Sequence, residues 1–144
     1  MNTIELLGEE KTFKDIVEHT ITKFEDSEID IIEGYAFYGC NSLTSVSFPL
    51  TGDIGSNAFN SCSSLTSVSF PKAKSIGTYA FYNCSKLTTI YVGTESNTVC
   101  TLKNTNAIPS SVTDIYVPEA LVDSYKSATN WSSFADKIKA YTGV

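Results

Sequence analysis

A step of 22 residues is the feature that most constrains what this chain can fold into. Ala36-Phe37, Ala58-Phe59 and Ala80-Phe81 are separated by 22, and the same step links Cys40, Cys62 and Cys84. It also links Leu43, Leu65 and Leu87, then Val46, Val68 and Ile90, then Phe48, Phe70 and Val92, with Ile32, Ile54 and Ile76 leading each unit. A unit this short cannot bury its apolar side alone, so a register kept by so many columns implies coils stacked on one another. Stacking at the spacing of paired strands, about 4.8 Å, sets like residues over like and makes ladders of Phe, Leu and Cys.

Within a unit the pattern predicts two local structures. In Thr44-Ser45-Val46-Ser47-Phe48 apolar residues alternate with hydroxyls, which predicts a strand with Val46 and Phe48 inward and Ser45 and Ser47 outward. The Ala-Phe segments after Gly34, Gly55 and Gly77 are too short for a full helix and predict one helical or 3-10 turn each, inserting Phe37, Phe59 and Phe81 into the core. With Leu43, Leu65 and Leu87 these form the expected structural ladder. Cys40, Cys62 and Cys84 read as its small buried hydrophobes rather than a metal or redox cluster. Adjacent coils could bring two of them within disulfide range, but three in a column plus Cys100 force no pairing.

Such a sheet has two edges that need covering, and both ends of the chain offer a cover. Counting back from Leu43 and Val46 reaches Ile21 and Phe24, so residues 20–24 fit a degenerate first strand. Ahead of it, Thr12-Phe13-Lys14-Asp15 resembles a capping-box start, with Phe13, Ile16 and Val17 on one helix face. Residues 1–28 are expected to be an amino-terminal cap and residues 29–92 three repeats. Residues 93–144 are expected to supply an irregular last coil and a helical cap, all in one continuous domain. Val99, Cys100, Leu102 and Ile108 are the expected inward contacts of that last coil, and Ile115-Tyr116-Val117 repeats Ile90-Tyr91-Val92 as a final strand. Pro118 suits the first turn of a helix carrying Leu121, Val122 and Tyr125, and Asn130 is placed to cap a second with Trp131, Phe134, Ala135 and Ile138.

Composition narrows the function. There is no arginine, and the net charge is −6, so the chain lacks the guanidinium forks that read phosphates and base edges; nucleic acid is a poor partner. His19 is the sole histidine, which argues against a Ser-His-Asp triad or a multi-histidine metal site. No cofactor or metal is implied. Residues 1–11 have neither the basic start nor the apolar run of a secretory signal, and no window reaches the roughly 18 apolar residues of a membrane span. The expected location is a virion or a cell surface reached through an assembly, and otherwise the cytoplasm.

The unit Ile-Gly-x-x-Ala-Phe-x-x-Cys-x-x-Leu-Thr-x-Val, seen in Ile54–Val68 and, with Ile at its last position, in Ile76–Ile90, resembles the BspA-type leucine-rich-repeat family. The ending from Ile115 to Trp131 is similar to a carboxy-terminal segment found in gut-bacterial, phage and prophage members of that kind. The resemblance implies an α/β repeat solenoid: a right-handed coil with a parallel sheet on one face, short helical turns opposite, and a helical carboxy-terminal cap. It also implies surface or secreted proteins that bind other proteins or host components, with no catalytic residues to carry over.

The candidate binding surface is the outward row of the sheet: Ser45 and Ser47, Ser67 and Ser69, Thr89 and Tyr91, then Tyr116. Alternatively, Ser and Thr, which make up 36 of 144 residues, stand there only as solvent-tolerant strand residues. Tyr38 and Tyr82, beside the Ala-Phe turn, form a second candidate patch. Two functions remain open on this reading. One is a non-enzymatic interaction or adhesion module for a protein or glycan. The other is a structural part of a phage or prophage particle, in which self-association or docking is the activity.

Overall fold

The period is realised as a coil whose sides repeat in register. The structure, a computed structural model, describes residues 28–143 in full and, ahead of them, the backbone of three short strands. These are β1 (Thr3–Leu6) and β2 (Glu9–Thr12), which pair antiparallel, and β3 (Lys23–Glu25). The expected helix around Phe13 to Val17, and His19, lie outside the described residues.

Two parallel sheets run the length of the stack. The alternating segments form β5 (Ser45–Ser47), β7 (Ser67–Phe70), β9 (Thr89–Val92) and β11 (Asp114–Pro118). With β3 at one edge and β12 (Ile138–Tyr141) at the other they make a six-stranded sheet. Its register is that of the sequence columns: Phe24 opposite Val46, Val46 opposite Val68, Val68 opposite Ile90, and Ile90 opposite Ile115. The second sheet goes beyond the sequence reading. The leading isoleucines sit in two-residue strands, β4 (Ile31–Ile32), β6 (Asp53–Ile54) and β8 (Ser75–Ile76), and β10 (Thr101–Leu102) extends them after the period has lapsed. Leu102 thereby takes the slot of Ile76, and Val99, Cys100 and Ile108 also pack inward as expected.

The Ala-Phe segments are not helical turns. Amides alternate between partners: Ala36, Tyr38 and Cys40 bond back within their own coil, to Glu33, Tyr35 and Phe37, whereas Tyr35, Phe37 and Gly39 donate to Ser56, Ala58 and Asn60 of the next. The second coil repeats the scheme, with Asn57, Phe59 and Ser61 donating to Thr78, Ala80 and Tyr82. A helix would turn every amide along its own axis and leave the neighbouring carbonyls without donors. The chain escapes this by entering the left-handed region at two slots per coil, Tyr35, Asn57 and Tyr79 (φ 62, 59 and 57°) and Gly39, Ser61 and Asn83 (φ 73, 66 and 61°).

Two aromatic ladders fill the core. Phe37, Phe59 and Phe81 stack at 5.0 and 5.4 Å, and Phe48 stacks on Phe70 at 5.6 Å, with tilted contacts of 5.9–6.4 Å joining one ladder to the other. The cysteines are free, buried thiols. Cys62 Sγ donates to Phe37 O (3.1 Å) and Cys84 Sγ to Phe59 O (3.0 Å), so each ties its coil to the one before. Hydrogen bonding with Cys62, and then burial, pushes the Cys40 and Cys84 thiols up, which keeps them protonated. Threonine contributes similar ties at the edge of the large sheet: Thr66 Oγ1 donates to Thr44 O, Thr88 Oγ1 to Thr66 O, and Thr113 Oγ1 to Thr88 O. Part of the hydroxyl excess is therefore structural.

The carboxy-terminal cap differs from the expected helix pair. Pro118 ends β11, and a 3-10 turn over Glu119–Leu121 leads into one short helix, α1 (Val122–Ser127). Trp131–Lys137 is 3-10 rather than α-helical and is interrupted at Phe134 (φ −116°, ψ 20°). Ile138 opens β12 instead of continuing a helix, and β12 pairs parallel with β11, so Ile115-Tyr116-Val117 is not the last strand. Asn130 does not cap with its side chain; it adopts φ 67°, and its Nδ2 donates to Leu102 O (2.6 Å).

The cap locks onto Cys100. The Cys100 N–H donates to Tyr125 Oη (2.9 Å), and Trp131 Nε1 donates to Cys100 O (2.6 Å), both deep in the core. Burial pushes the Cys100 thiol up to about 12, with Asp53 adding to the shift, and burial likewise pushes the Tyr125 phenol up to about 12. Both groups hold their protons more tightly folded than unfolded, where they titrate near 9.0 and 10.0. Their contribution to stability is thus complete below pH 9.0 and is lost as the pH rises toward about 12. Urea midpoints are expected to fall through that window, and to fall less steeply in Tyr125→Phe. At neutral pH the same substitution leaves the Cys100 N–H without its acceptor and should cost about 1–3 kcal/mol. A midpoint independent of pH up to about 12 would contradict burial as the cause.

Candidate functional site

The outward side of the six-stranded sheet holds the residues singled out in the sequence. Strand alternation turns Val46, Val68, Ile90 and Ile115 into the core and leaves the intervening side chains half-buried on the other face. Register then orders them in two rows. One runs Ser45, Ser67, Thr89, Asp114, and the other Ser47, Ser69, Tyr91, Tyr116, Lys139. All seven expected residues lie on this face.

The rows change character toward the cap. Across β5 and β7 they carry only serine hydroxyls. From β9 onward they become aromatic: Tyr91 and Tyr116 stack with ring centroids 5.0 Å apart and 15° between planes, and Tyr141 meets Tyr91 edge-on at 5.9 Å. Beside them Lys139 Nζ donates to Asp114 Oδ1 in an ion pair, and Thr113 Oγ1 donates to Asp114 Oδ2 (3.0 Å). The Lys139 hydrogen bond, followed by that of Thr113, holds the Asp114 carboxyl below the usual carboxylate range. Hydrogen bonding to Asp114 in turn raises the Lys139 ammonium. The pair is exposed, so it orients the rim of the tyrosine cluster more than it stabilises the fold.

Asp114, Lys139 and Tyr141 were not foreseen. The first lies where the period has already slipped to 25, and the other two lie on the strand taken for a helix. Alternation in Ile138-Lys139-Ala140-Tyr141 is the signal that could have found them. Tyr38 and Tyr82 do not join the sheet face. They project from the turn side of the coil, each beside a second tyrosine: Tyr35 lies 5.6 Å from Tyr38, and Tyr79 lies 5.3 Å from Tyr82.

Chemically the sheet face is suited to contact. Among residues 28–143 the charged side chains of its two rows are Asp114 and Lys139, which pair with each other. Among the described residues no group of three His, Cys, Asp or Glu side chains is placed to hold a metal ion, and no helix is long and apolar enough to cross a membrane.

A stack of coils with one parallel sheet turned outward defines a repeat solenoid, a class that presents extended faces for binding. The sequence matches the BspA type leucine-rich repeat region in six copies over residues 9–128, and the chain belongs to that family. Solved structures agree on the fold. A leucine-rich repeat protein from Bacteroides ovatus superposes with a TM-score of 0.63 at 25% identity, over 85% of this chain and 30% of its own. A leucine-rich cell surface protein from Faecalibacterium prausnitzii gives 0.59 at 22% identity, over 86% of this chain and 33% of its own. The chain thus spans about a third of the length of these two proteins. No curated protein compared with the chain matches it. Proteins with this fold are generally non-enzymatic binding modules.

Proposed function

We propose that this chain is a protein-recognition module, displayed at a surface, whose partner docks on the outward side of the six-stranded sheet around Tyr91, Tyr116 and Tyr141. The observation that carries this reading is the tyrosine cluster itself, two stacked rings and one edge-on ring at the cap end of a hydroxyl-lined face. Tyrosine brings a large contact area with few rotatable bonds and a terminal hydroxyl, and it is over-represented among residues that dominate binding energy. The serine rows would supply adaptable hydrogen bonds around that centre. The likeness in fold to one protein described as a leucine-rich cell surface protein is in keeping with that location.

The test is a comparison of the wild-type chain with Tyr91→Ala/Tyr116→Ala, each immobilised and exposed to surface-protein extracts of candidate host cells. A partner held by the wild type should bind the double variant at least about tenfold more weakly, since hot-spot tyrosines contribute on the order of 2 kcal/mol each. The thermal midpoint should fall only slightly, because these half-buried rings stack on each other outside the core. Equal retention by both forms would remove the sheet face from the function.

A further inference from the structure

The turn side of the coil carries a second surface of different chemistry, and it does not rest on the reading of the sheet face. Residues 34–42, 56–64, 78–86 and 104–111, which form this side, include a single charged residue, Lys86. Four of the large apolar side chains most open to solvent lie here: Tyr35 (59% exposed), Tyr38 (46%), Tyr79 (38%) and Tyr82 (42%). They form two pairs in the first and third coils, two coils apart, or roughly 10 Å at the spacing of paired strands. Between them the second coil places amides at the same slots, Asn57 half-buried and Asn60 buried beneath it. Asn60 Nδ2 donates to Asn57 Oδ1 (2.8 Å), and Ser61 Oγ donates to Asn60 Oδ1 (2.8 Å), so both amides are held in fixed orientation.

The backbone marks two of these tyrosines. The slot of Tyr35, Asn57 and Tyr79 is left-handed in all three coils. Asparagine is among the few residues that adopt that region readily, and an aromatic ring gains nothing from it. Tyrosine stands there in two coils of three, and Tyr35 leaves 59% of its surface exposed in return, which is the signature of strain kept for a surface role. Next to Tyr82 a cavity of about 400 Å³ opens, with Asn83, Ser85 and Asn106 on its walls and Ile108 and Pro109 among its apolar lining. Its size falls within the range of small-ligand sites.

Exposed aromatic rings, oriented amides, hydroxyls and a single charge, at Lys86, together fit one chemical class. Sugar rings present an apolar C–H face that packs on an aromatic ring and a rim of hydroxyls that exchange hydrogen bonds with amides, and neutral sugars need no ion pair. The geometry points to a binding site for a neutral oligosaccharide along the turn side, with sugar rings stacked on the Tyr35/Tyr38 and Tyr79/Tyr82 pairs and one unit entering the cavity beside Tyr82. The two pairs select an extended chain long enough to reach from one to the other.

Calorimetric titration of the full chain with a panel of neutral hexasaccharides, the unbranched oligomers of glucose, xylose and mannose, tests this directly. At least one should bind, and its disaccharide should bind at least tenfold more weakly. Tyr79→Asn installs the residue that the second coil already uses at this slot, so it should leave the thermal midpoint equal or higher while weakening the hexasaccharide at least tenfold; Tyr82→Ala should weaken it similarly. Tyr91→Ala/Tyr116→Ala, on the sheet face, should not change it, which separates this site from the protein-binding face. Absence of binding across the panel, binding only to acidic sugars, capture of a protein through these tyrosines without sugar, or a fall in the midpoint of Tyr79→Asn would each overturn the assignment.

Discussion

Gly55→Ala is expected to destabilise the chain by about 3 kcal/mol or more, a large share of the stability of a domain this size. A Cβ on Gly55 would lie 2.4 Å from Gly34 N, 2.6 Å from Glu33 C and 2.8 Å from Gly34 Cα, all backbone atoms of the preceding coil. Backbone cannot swing aside as a side chain does, and the Gly55 N–H to Ile32 O bond (2.8 Å) holds the two coils at that separation. Gly77 repeats the geometry one coil later, with a Cβ 2.5 Å from Ser56 N, and Gly77→Ala should match Gly55→Ala. Gly52→Ala is the control, since its Cβ would meet only the Lys74 side chain at 3.6 Å or beyond; it should change stability by less than about 0.5 kcal/mol. Urea denaturation of the three variants checks the ranking, and equal stability of Gly55→Ala and Gly52→Ala would contradict the close coil contact.

Phe59→Ala should have the other large effect, about 3–5 kcal/mol. Phe59 is the middle ring of its ladder and touches Phe37, Phe48, Phe70 and Phe81 at 5.0–6.4 Å, fully buried. Coils on both sides are held by their own backbone ladders, so the site cannot collapse to fill the void, and the cavity term adds to the lost burial. In a quasi-one-dimensional stack the loss also weakens both neighbouring coil interfaces. Chemical denaturation checks the size of the effect, and a loss below about 1 kcal/mol would contradict a ladder too rigid to collapse.

Much of this fold was legible because one period governs it. The columns Val46, Val68 and Ile90 predicted the strand register, and the 25-residue step to Ile115 and the backward step to Phe24 both held. The second sheet was not legible because Ile32, Ile54 and Ile76 each contribute one apolar residue to a two-residue strand, too little for alternation to register. Turn geometry was hidden by its residues: Tyr35, Tyr79 and Ser61 are not types that announce a left-handed slot. In the cap, Trp131, Phe134, Ala135 and Ile138 have helical spacing, but pairing with the open edge of β11 prevails over it at Ile138. On the binding face the hydroxyl rows and Tyr91 and Tyr116 followed from alternation. Tyr141 and the Asp114–Lys139 pair lie outside the columns, and only the folded cap brings them beside Tyr116.

The central claim is that the stacked core is scaffolding and the tyrosine end of the large sheet is where a partner binds. It is tested most directly by placing a photo-crosslinking side chain at Ser69, adjoining Tyr91 on the sheet face, and separately at Thr101, on the outward side of the small sheet. With a partner bound, Ser69 should crosslink to it and Thr101 should not. Crosslinking from Thr101 with none from Ser69 would contradict the account.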